Sequence, residues 1–191
     1  MARPHLIGAY GMLWDRAAVK WHPGISPKKW QLLGYRGSYS PKLQGCDFRT
    51  ARGFYVLFDE FRAVYAGLAR GNGGIGARLK AHHTHRDDWT RFCWFAFDDV
   101  KPAYWSWTWS EVMPRKSPGQ LSPETVVRES EALLINVLGL RDQNAMKFLS
   151  GQEWTQLTDA DFVRGGLGRR LDVGGFTDPH YLGLASNGVD D

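Results

Sequence analysis

The sequence predicts a small mixed domain of the α/β (α+β) class, with a three-stranded central sheet flanked by helices and a small basic β-rich extension before it. Two apolar runs between residues 53 and 68 are joined by a polar turn, which is typical of a β-hairpin. Residues 74–84 and 123–138 instead carry apolar side chains at helical spacing. With 43% apolar and 23% charged residues in 191, the composition favours one folded domain and excludes a disordered or coiled-coil chain.

The first fifty residues are predicted to form the basic extension, with short strands at 12–14, 17–21 and 29–36. They hold eight Lys and Arg against two Asp, a net charge of +6, whereas residues 151–191 hold three against seven, a net of −4. Basic residues interleaved with tryptophans suit a nucleic-acid surface, although the tryptophans could simply form the core of a small sheet. The candidate nucleic-acid contacts are Arg16, Lys20, Lys28, Lys29 and Arg36, with Arg70 from the next segment.

A hairpin, a helix and a further strand are predicted next along the chain. The hairpin strands are expected over 53–58 and 63–68. The glycine-rich loop 70–74 lacks the Lys-Ser/Thr of a phosphate-binding loop, so we expect it to open a helix over 74–84. A strand is predicted over 89–97. Four residues share one face of the helix: Ile75, Arg78, Leu79 and His82.

Three tryptophans alternate with small polar residues further along: Trp105, Trp107 and Trp109. This period of two places all three indoles on one face of a strand. We interpret that face as covering a core or a neighbouring element. The alternative is an exposed surface for stacking or for a protein partner.

The second predicted helix has clear boundaries, since Ser122 is a suitable N-cap, Pro123 fits the first turn and Gly139 is placed to end it. At 100° per residue, Glu131 lies in the middle of the apolar stripe and Glu129 points the opposite way. A carboxylate on a buried stripe is costly unless it is paired or binds a cation. Glu131 is therefore predicted to form a buried salt bridge or to hold a cation.

The remaining features of the sequence are its C-terminal segment, its two cysteines and its lack of a leader-like or membrane-spanning run. Residues 151–191 are expected to be irregular and acidic, with one short helix over 158–164. Cys46 and Cys93 belong to no C-x-x-C pair, so we expect buried thiols in a reducing compartment. The sequence contains neither a leader-like segment nor an apolar run of 18 residues, which favours a cytoplasmic protein.

The order of these elements, together with two short signatures, resembles the GIY-YIG nuclease family. The first signature is Gly53-Phe54-Tyr55, and the second is Tyr65-Ala66-Gly67, with Phe and Ala where the family has Ile. Arg78 and His82 match an Arg and a His that lie four residues apart on the family's next helix.

The end of the matched region supplies the acidic part of the pattern. Glu131-Ala132-Leu133-Leu134-Ile135 matches the family's Glu-x-x-Leu-Ile, and Asn144 matches a following Asn. The resemblance covers residues 51–148, about half the chain. It implies a GIY-YIG-like fold over residues 51–150 and metal-dependent endonucleolytic hydrolysis of phosphodiester bonds, with DNA as the preferred substrate.

The resemblance also implies roles for individual residues. The implied catalytic residues are Tyr55, Tyr65, Arg78, His82 and Glu131. Arg78 would clamp the phosphate, the tyrosines and the histidine would position or activate water, and Glu131 would hold Mg²⁺ or Mn²⁺. Asn144 would brace the site.

Two alternatives to a nuclease are a module of the implied fold without catalysis and an interaction protein that uses the Trp105/Trp107/Trp109 face. The same fold could serve as a catalytically inactive nucleic-acid-binding or protein-interaction module. A zinc site made by His82, His83, His85 and Cys93 is disfavoured, because neighbouring helical histidines diverge by 100° and no second ligand pair follows.

Overall fold

The structure is a computed structural model that describes residues 5–21, 30–37, 44–101, 110–115, 121–140, 149–158 and 160–161. Several predictions lie outside these residues, namely those on Lys28, Lys29, the Trp105/Trp107/Trp109 face, Asn144 and the chain beyond 161. The strands are β1 Ala9–Asp15, β2 Leu33–Arg36, β3 Gln44–Asp47, β4 Gly53–Asp59, β5 Arg62–Ala69, β6 Arg91–Ala96, β7 Asp99–Lys101, β8 Glu111–Met113, β9 Gln152–Glu153 and β10 Thr155–Gln156. The helices are α1 Gly74–His85 and α2 Pro123–Val137.

The mixed α+β class is confirmed, but the main sheet is larger than predicted. Its described strands number five, in the order β5-β4-β6-β1-β9. The three predicted strands are adjacent in it, and β1 adds to the free side of β6 with Ala9 opposite Ala96 and Asp15 opposite Arg91. Five of the six residues of β6 are buried, so this strand needs a partner on each side. The predicted boundary at residue 50 consequently separates strands that share one sheet.

The smaller predicted strands are only partly present. A second sheet has the order β10-β2-β3, and β7 pairs with β8. The strand predicted over 17–21 is reduced to a single bridge between Lys20 and Gln31. The strand predicted over 29–36 begins at Leu33 among the described residues.

Both faces of the main sheet are covered by other parts of the chain. Successive residues of β4 point to opposite faces, so they show which side chains belong to each. Tyr55 and Leu57 point to the face that packs against α1 and a cluster of aromatic side chains, which we call the tyrosine face. Val56 and Phe58 point to the other face, which packs against Ala132 of α2 and which we call the α2 face. The tryptophans buried on the tyrosine face are Trp14, Trp21, Trp89, Trp94 and Trp154. For Trp14 and Trp21, this confirms the core alternative over an exposed nucleic-acid surface.

Helix α1 begins at the glycine-rich loop, as predicted. Gly74 has φ +60°, a conformation that favours glycine, and an added Cβ would lie 2.4 Å from the carbonyl carbon of Thr50. The amide of Ile75 donates to the carbonyl of Ala51 at 2.7 Å, and that of Gly76 donates to Arg49 at 2.9 Å. The start of α1 is thus bonded to the preceding loop, which fixes the helix against the sheet.

Helix α2 also has its predicted ends, but its buried face is not the predicted one. Ser122 accepts a hydrogen bond from the amide of Thr125, and Gly139 has φ +69°. Glu129 is 1% exposed, whereas Glu131 is exposed. The prediction that Glu131 lies in the buried stripe is therefore wrong.

Two features of α2 explain the difference. The buried stripe of the helix consists of Glu129, Ala132 and Ile135, and the apolar side chains of Val127, Leu134 and Leu138 lie off this stripe and stay exposed. The carboxylate of Glu129 accepts hydrogen bonds from the amides of Ile7 at 3.3 Å and Ser150 at 3.2 Å. Both donors lie outside the helix, so helical periodicity alone could not reveal them.

Two further expectations concern cysteines and membranes. Cys46 and Cys93 are buried free thiols, as predicted. Within the described residues, neither helix combines the length and the apolar character needed to cross a bilayer.

Candidate functional site

The centre of the candidate site is a hydrogen bond between a strand and a helix. The hydroxyl of Tyr55 on β4 lies 2.8 Å from Nε2 of His82 on α1. Tyr55 has no exposed surface, while His82 is half-buried. The two residues belong to separate predicted motifs, and the packing of α1 on the tyrosine face brings them together.

Tyr65 completes a compact aromatic group on β5. Its ring centroid lies 6.1 Å from that of Tyr55 and 4.6 Å from that of His82. Gly67 pairs with Tyr55 in the sheet, and an added Cβ there would lie 2.4 Å from the Tyr55 hydroxyl oxygen. Glycine at this position thus leaves the space that the tyrosine pair occupies.

Two arginines flank His82 along α1. Arg78, one turn earlier, is exposed and donates from Nε to the carbonyl of Leu68 at 3.2 Å. Arg86, directly after the helix, places its guanidinium 5.1 Å from the centre of the Tyr65 ring. Asp88 fixes Arg86 by accepting from Nε at 2.8 Å and from Nη2 at 2.6 Å. Sequence reasoning missed Arg86, although its spacing of four from His82 repeats that of His82 from Arg78.

The protonation states follow from burial and from these charges. Burial, and next the neighbouring Tyr65, raise the pKa of Tyr55 to about 12, although Arg78 partly opposes this. Burial, and next Arg86 and Arg78, lower the pKa of His82 from its ordinary value of 6.5. At neutral pH the phenol therefore keeps its proton and the imidazole is neutral; in the tautomer that carries its proton on Nδ1, the phenol donates to Nε2. This disfavours an ionised Tyr55 acting as base by itself.

A cavity of about 470 Å³ lies beside Arg78. Its wall includes Leu68, Arg70 and the glycine-rich loop that precedes α1. The amides of Ile75 and Gly76 already donate to carbonyls of the protein, so the positive charge of this cavity comes from its two arginines. A planar guanidinium is well suited to the oxygens of a phosphate group.

Glu131 is not brought to the tyrosine pair, since α2 covers the other face of the sheet. Asp88 is a carboxylate that acts on His82, but it is bonded to Arg86. Among the described residues, no three or more His, Cys, Asp or Glu side chains are grouped so as to hold a metal ion. The predicted magnesium ligand therefore does not fit the tyrosine site in the described part of the chain.

The alternative zinc ligands are also separated. The His83 ring stacks on Trp21 with centroids 4.3 Å apart. Cys93 belongs to the core of the α2 face, whereas His82 contacts Tyr55 on the tyrosine face.

The predicted nucleic-acid contacts differ in whether their charged groups contact the protein or face the solvent. Arg16 points inward, since its Nε donates to Nδ1 of His83 at 3.1 Å and its guanidinium lies 4.7 Å from the Trp89 ring. Arg36 lies over Trp154 at 5.8 Å, and Lys20 is half-buried.

Arg70, by contrast, is exposed and lines the cavity beside Arg78. Four of the five predicted catalytic residues, namely Tyr55, Tyr65, Arg78 and His82, thus lie in one region with Arg70. Comparisons of the chain with models of protein families, with curated proteins and with solved structures find no match.

Proposed function

We propose that this chain is a phosphodiester hydrolase that cleaves nucleic acid endonucleolytically, with DNA as its preferred substrate. The observation that supports it is the 2.8 Å hydrogen bond between Tyr55 and His82, with Arg78 one helical turn away. This group offers a proton acceptor and a phosphate clamp side by side. Both are needed for hydrolysis of a phosphodiester.

In the proposed reaction, Arg78 binds the non-bridging oxygens of the scissile phosphate. A water molecule attacks phosphorus, so a new P–O bond forms as the bond to the leaving oxygen breaks. Since Tyr55 has no exposed surface in the free protein, bound substrate and water must first reach its hydroxyl. The water then gives its proton to the Tyr55 oxygen, while the Tyr55 hydroxyl passes its own proton to Nε2 of His82. The leaving oxygen departs as an alkoxide and takes a proton from solvent. The lowered pKa of His82 keeps the imidazole neutral at neutral pH, and in its Nδ1-protonated tautomer Nε2 is free to accept.

Arg86 and Tyr65 support this arrangement. The guanidinium of Arg86 lies against the Tyr65 ring and favours the neutral form of His82 through its positive charge. Developing negative charge on the phosphate is met by fixed cations that need little reorganisation. Arg86 is thus a positioning residue that acts through Tyr65 and His82.

Magnesium or manganese remains part of the proposal, as the resemblance implies. A divalent cation would supply charge neutralisation on the phosphate and on the leaving oxygen. Because the described carboxylates do not converge on the tyrosine pair, no step above passes through the metal. Glu131 as its ligand stays a prediction.

Nicking of supercoiled plasmid DNA in the presence of Mg²⁺ tests the proposal. We expect Tyr55→Phe to lower the nicking rate by about 100-fold or more, since proton transfer contributes about 10²- to 10⁴-fold. Tyr10→Phe is the matched control, because its hydroxyl bonds Glu153 at 3.3 Å and its ring lies in the core of the α2 face. Equal nicking by wild type and Tyr55→Phe would contradict the proposed chemistry.

A nucleic-acid-binding module without catalysis is the second candidate. It is favoured by one observation, which is that the described residues bring no carboxylate set to the tyrosine site. Under this alternative the wild type binds DNA but leaves plasmid intact at every divalent cation concentration. Binding that weakens in Arg78→Ala, without any nicking by the wild type, would support it.

A further inference from the structure

We infer that a second cavity, next to the phosphate-binding one, holds an unpaired nucleobase of the bound strand; this inference rests on the proposed function. The cavity has a volume of about 510 Å³ and lies where β4 begins and β5 ends. Its wall includes Leu6, Arg52, Leu68, Arg70 and Phe97. This volume is in the range of sites that bind small organic groups.

The two cavities adjoin at the end of β5. Both are lined by Leu68, Ala69 and Arg70. The carbonyl of Leu68 also accepts the hydrogen bond from Nε of Arg78, so the predicted phosphate clamp is attached to the shared wall. A phosphate at Arg78 therefore places its neighbouring nucleotide at the entrance of the second cavity.

The second cavity offers apolar surface in an accessible position. Leu68 is 47% exposed and Phe97 is 36% exposed, which is high for large apolar side chains at the ends of core strands. The ring of Phe97 lies 5.9 Å from that of Phe54, so a neighbouring ring supports it. Aromatic rings of this kind stack on nucleobases, and any base can supply the second face.

The unpaired charges lie on the first cavity and on the wall that the two cavities share. In the second cavity, Arg52 is held by Asp98, which accepts from Nε at 3.1 Å and from Nη2 at 2.5 Å. Asp98 is 1% exposed, so this guanidinium is neutralised and fixed in orientation. No carboxylate among the described residues pairs with Arg70 or Arg78. Arg70 lines both cavities, so the unpaired positive charge lies at their shared wall and beside Arg78, where it suits the phosphate. The rest of the second cavity's wall, with the neutralised Arg52 and the apolar Leu68 and Phe97, suits the uncharged base.

A nucleobase can enter this cavity only when it is not base-paired. A base within a duplex is stacked and paired, and it reaches a protein pocket only when it is single-stranded or flipped out. The inferred pocket therefore favours substrates with an unpaired nucleotide beside the scissile phosphate.

The test measures binding and requires no cleavage. Fluorescence anisotropy gives the Kd of a fluorescein-labelled single-stranded 12-mer in EDTA, with one abasic site moved through the sequence. We expect one position at which loss of the base weakens wild-type binding by about fivefold or more, from the usual strength of base stacking. In Phe97→Ala that position is expected to lose its effect.

Two further variants separate stacking from general damage. Phe97→Trp keeps an aromatic face, so it should keep the dependence on the base. Phe61→Ala is the matched control, because Phe61 is 69% exposed beside Arg91 but lies at the other end of the hairpin. This variant should bind all oligonucleotides as the wild type does.

The outcomes distinguish this inference from the function on which it rests. Tyr55-dependent nicking combined with a Kd that is equal at all abasic positions would overturn the base pocket alone. A base dependence that persists in Phe97→Ala would overturn it as well. Failure of every oligonucleotide to bind would also overturn the base pocket, whereas plasmid nicking that does not depend on Tyr55, or no nicking at all, would overturn the function on which it rests.

Discussion

The two faces of the main sheet both carry a buried core, but their buried polar groups have different partners. On the α2 face, the buried carboxylate of Glu129 receives a backbone amide on each oxygen, from Ile7 and Ser150. On the tyrosine face, the buried hydroxyl of Tyr55 meets a titratable side chain, His82, which is half-buried. Both carboxylate oxygens of Glu129 already have backbone partners, whereas the half-buried imidazole of His82 can still bind a ligand or a proton.

This difference suggests separate tasks for the two faces. A carboxylate satisfied by backbone amides from distant segments fixes those segments in place, and removing it leaves buried donors without acceptors. A tyrosine and a histidine with flanking arginines gain little stability from their charges, since Arg78 is exposed to solvent. The α2 face should therefore respond to substitution through stability, and the tyrosine face through activity.

The largest expected effect is on the tyrosine face. Arg78→Ala removes the proposed phosphate clamp, and we expect the nicking rate to fall by about 10²- to 10³-fold, as for loss of one charge-stabilising donor. Arg128→Ala is the control, because Arg128 is an exposed arginine on α2. If both variants nick plasmid equally, the assignment of the clamp to the tyrosine face is wrong.

The next effect concerns two carboxylates on one helix. Glu129→Gln should lower the free energy of unfolding by about 1–3 kcal/mol, because a side-chain amide has one acceptor oxygen and cannot accept from both backbone amides. Glu131→Gln should change it by less than about 0.5 kcal/mol, since Glu131 is exposed. Urea denaturation of both variants measures the difference. A larger loss for Glu131 would show that the wrong glutamate has been identified as buried.

The same pair of variants decides the magnesium prediction. If Glu131 holds the metal, as the resemblance implies, Glu131→Gln remains folded but loses Mg²⁺-dependent nicking. If that variant nicks DNA at the wild-type rate over a magnesium titration, Glu131 is not the ligand. The stability measurement shows that either result is a property of a folded protein.

A pH profile tests the proton path on the tyrosine face. Because the pKa of His82 is lowered from 6.5, nicking should be constant above that pH and fall about tenfold per unit below the lowered pKa, where the imidazole is protonated. No second change is expected near pH 10, since the pKa of Tyr55 is raised to about 12. A rate that rises between pH 9 and 10 would instead indicate an ordinary, ionising Tyr55.

The lowered pKa of His82 also makes the free energy of unfolding depend on pH. The unfolded chain binds a proton at His82 at a higher pH than the folded chain does, so protonation favours unfolding. This contribution to stability is present above pH 6.5 and decreases as the pH falls below it. Unfolding should thus be measured at each pH of the profile, so that a loss of nicking can be assigned to the folded protein.

Local signals in the sequence predicted most elements but not their arrangement. Ser122 and Gly139 bounded α2 correctly, because caps depend on nearby backbone groups. The place of β1 in the main sheet depended on pairing with β6, some eighty residues away, which no local pattern records. Similarly, the burial of Glu129 depended on amides of Ile7 and Ser150.

The candidate site was predictable where it followed a motif. Tyr55, Tyr65, Arg78 and His82 were all named from the sequence, and the first and last of them are hydrogen-bonded. The inward orientation of Arg16 could not be predicted, since its partner Trp89 is distant in sequence. Counting charges along the sequence treats a half-buried arginine with protein partners and an exposed one as equivalent.

The smallest expected effect separates these two kinds of arginine. Arg70 is exposed in the cavity, so Arg70→Ala should make the slope of log K against log salt shallower by about 0.7 for single-stranded DNA, which corresponds to one phosphate contact. Arg70→Lys keeps the charge and should keep the slope. Arg16→Lys also keeps the charge but cannot reproduce the bonds from Nη1 to Trp89 and from Nη2 to His83, so it should lower stability and leave the slope unchanged. A slope that changes with Arg16→Lys and not with Arg70→Ala would move the nucleic-acid path from the cavity to the N-terminal basic segment.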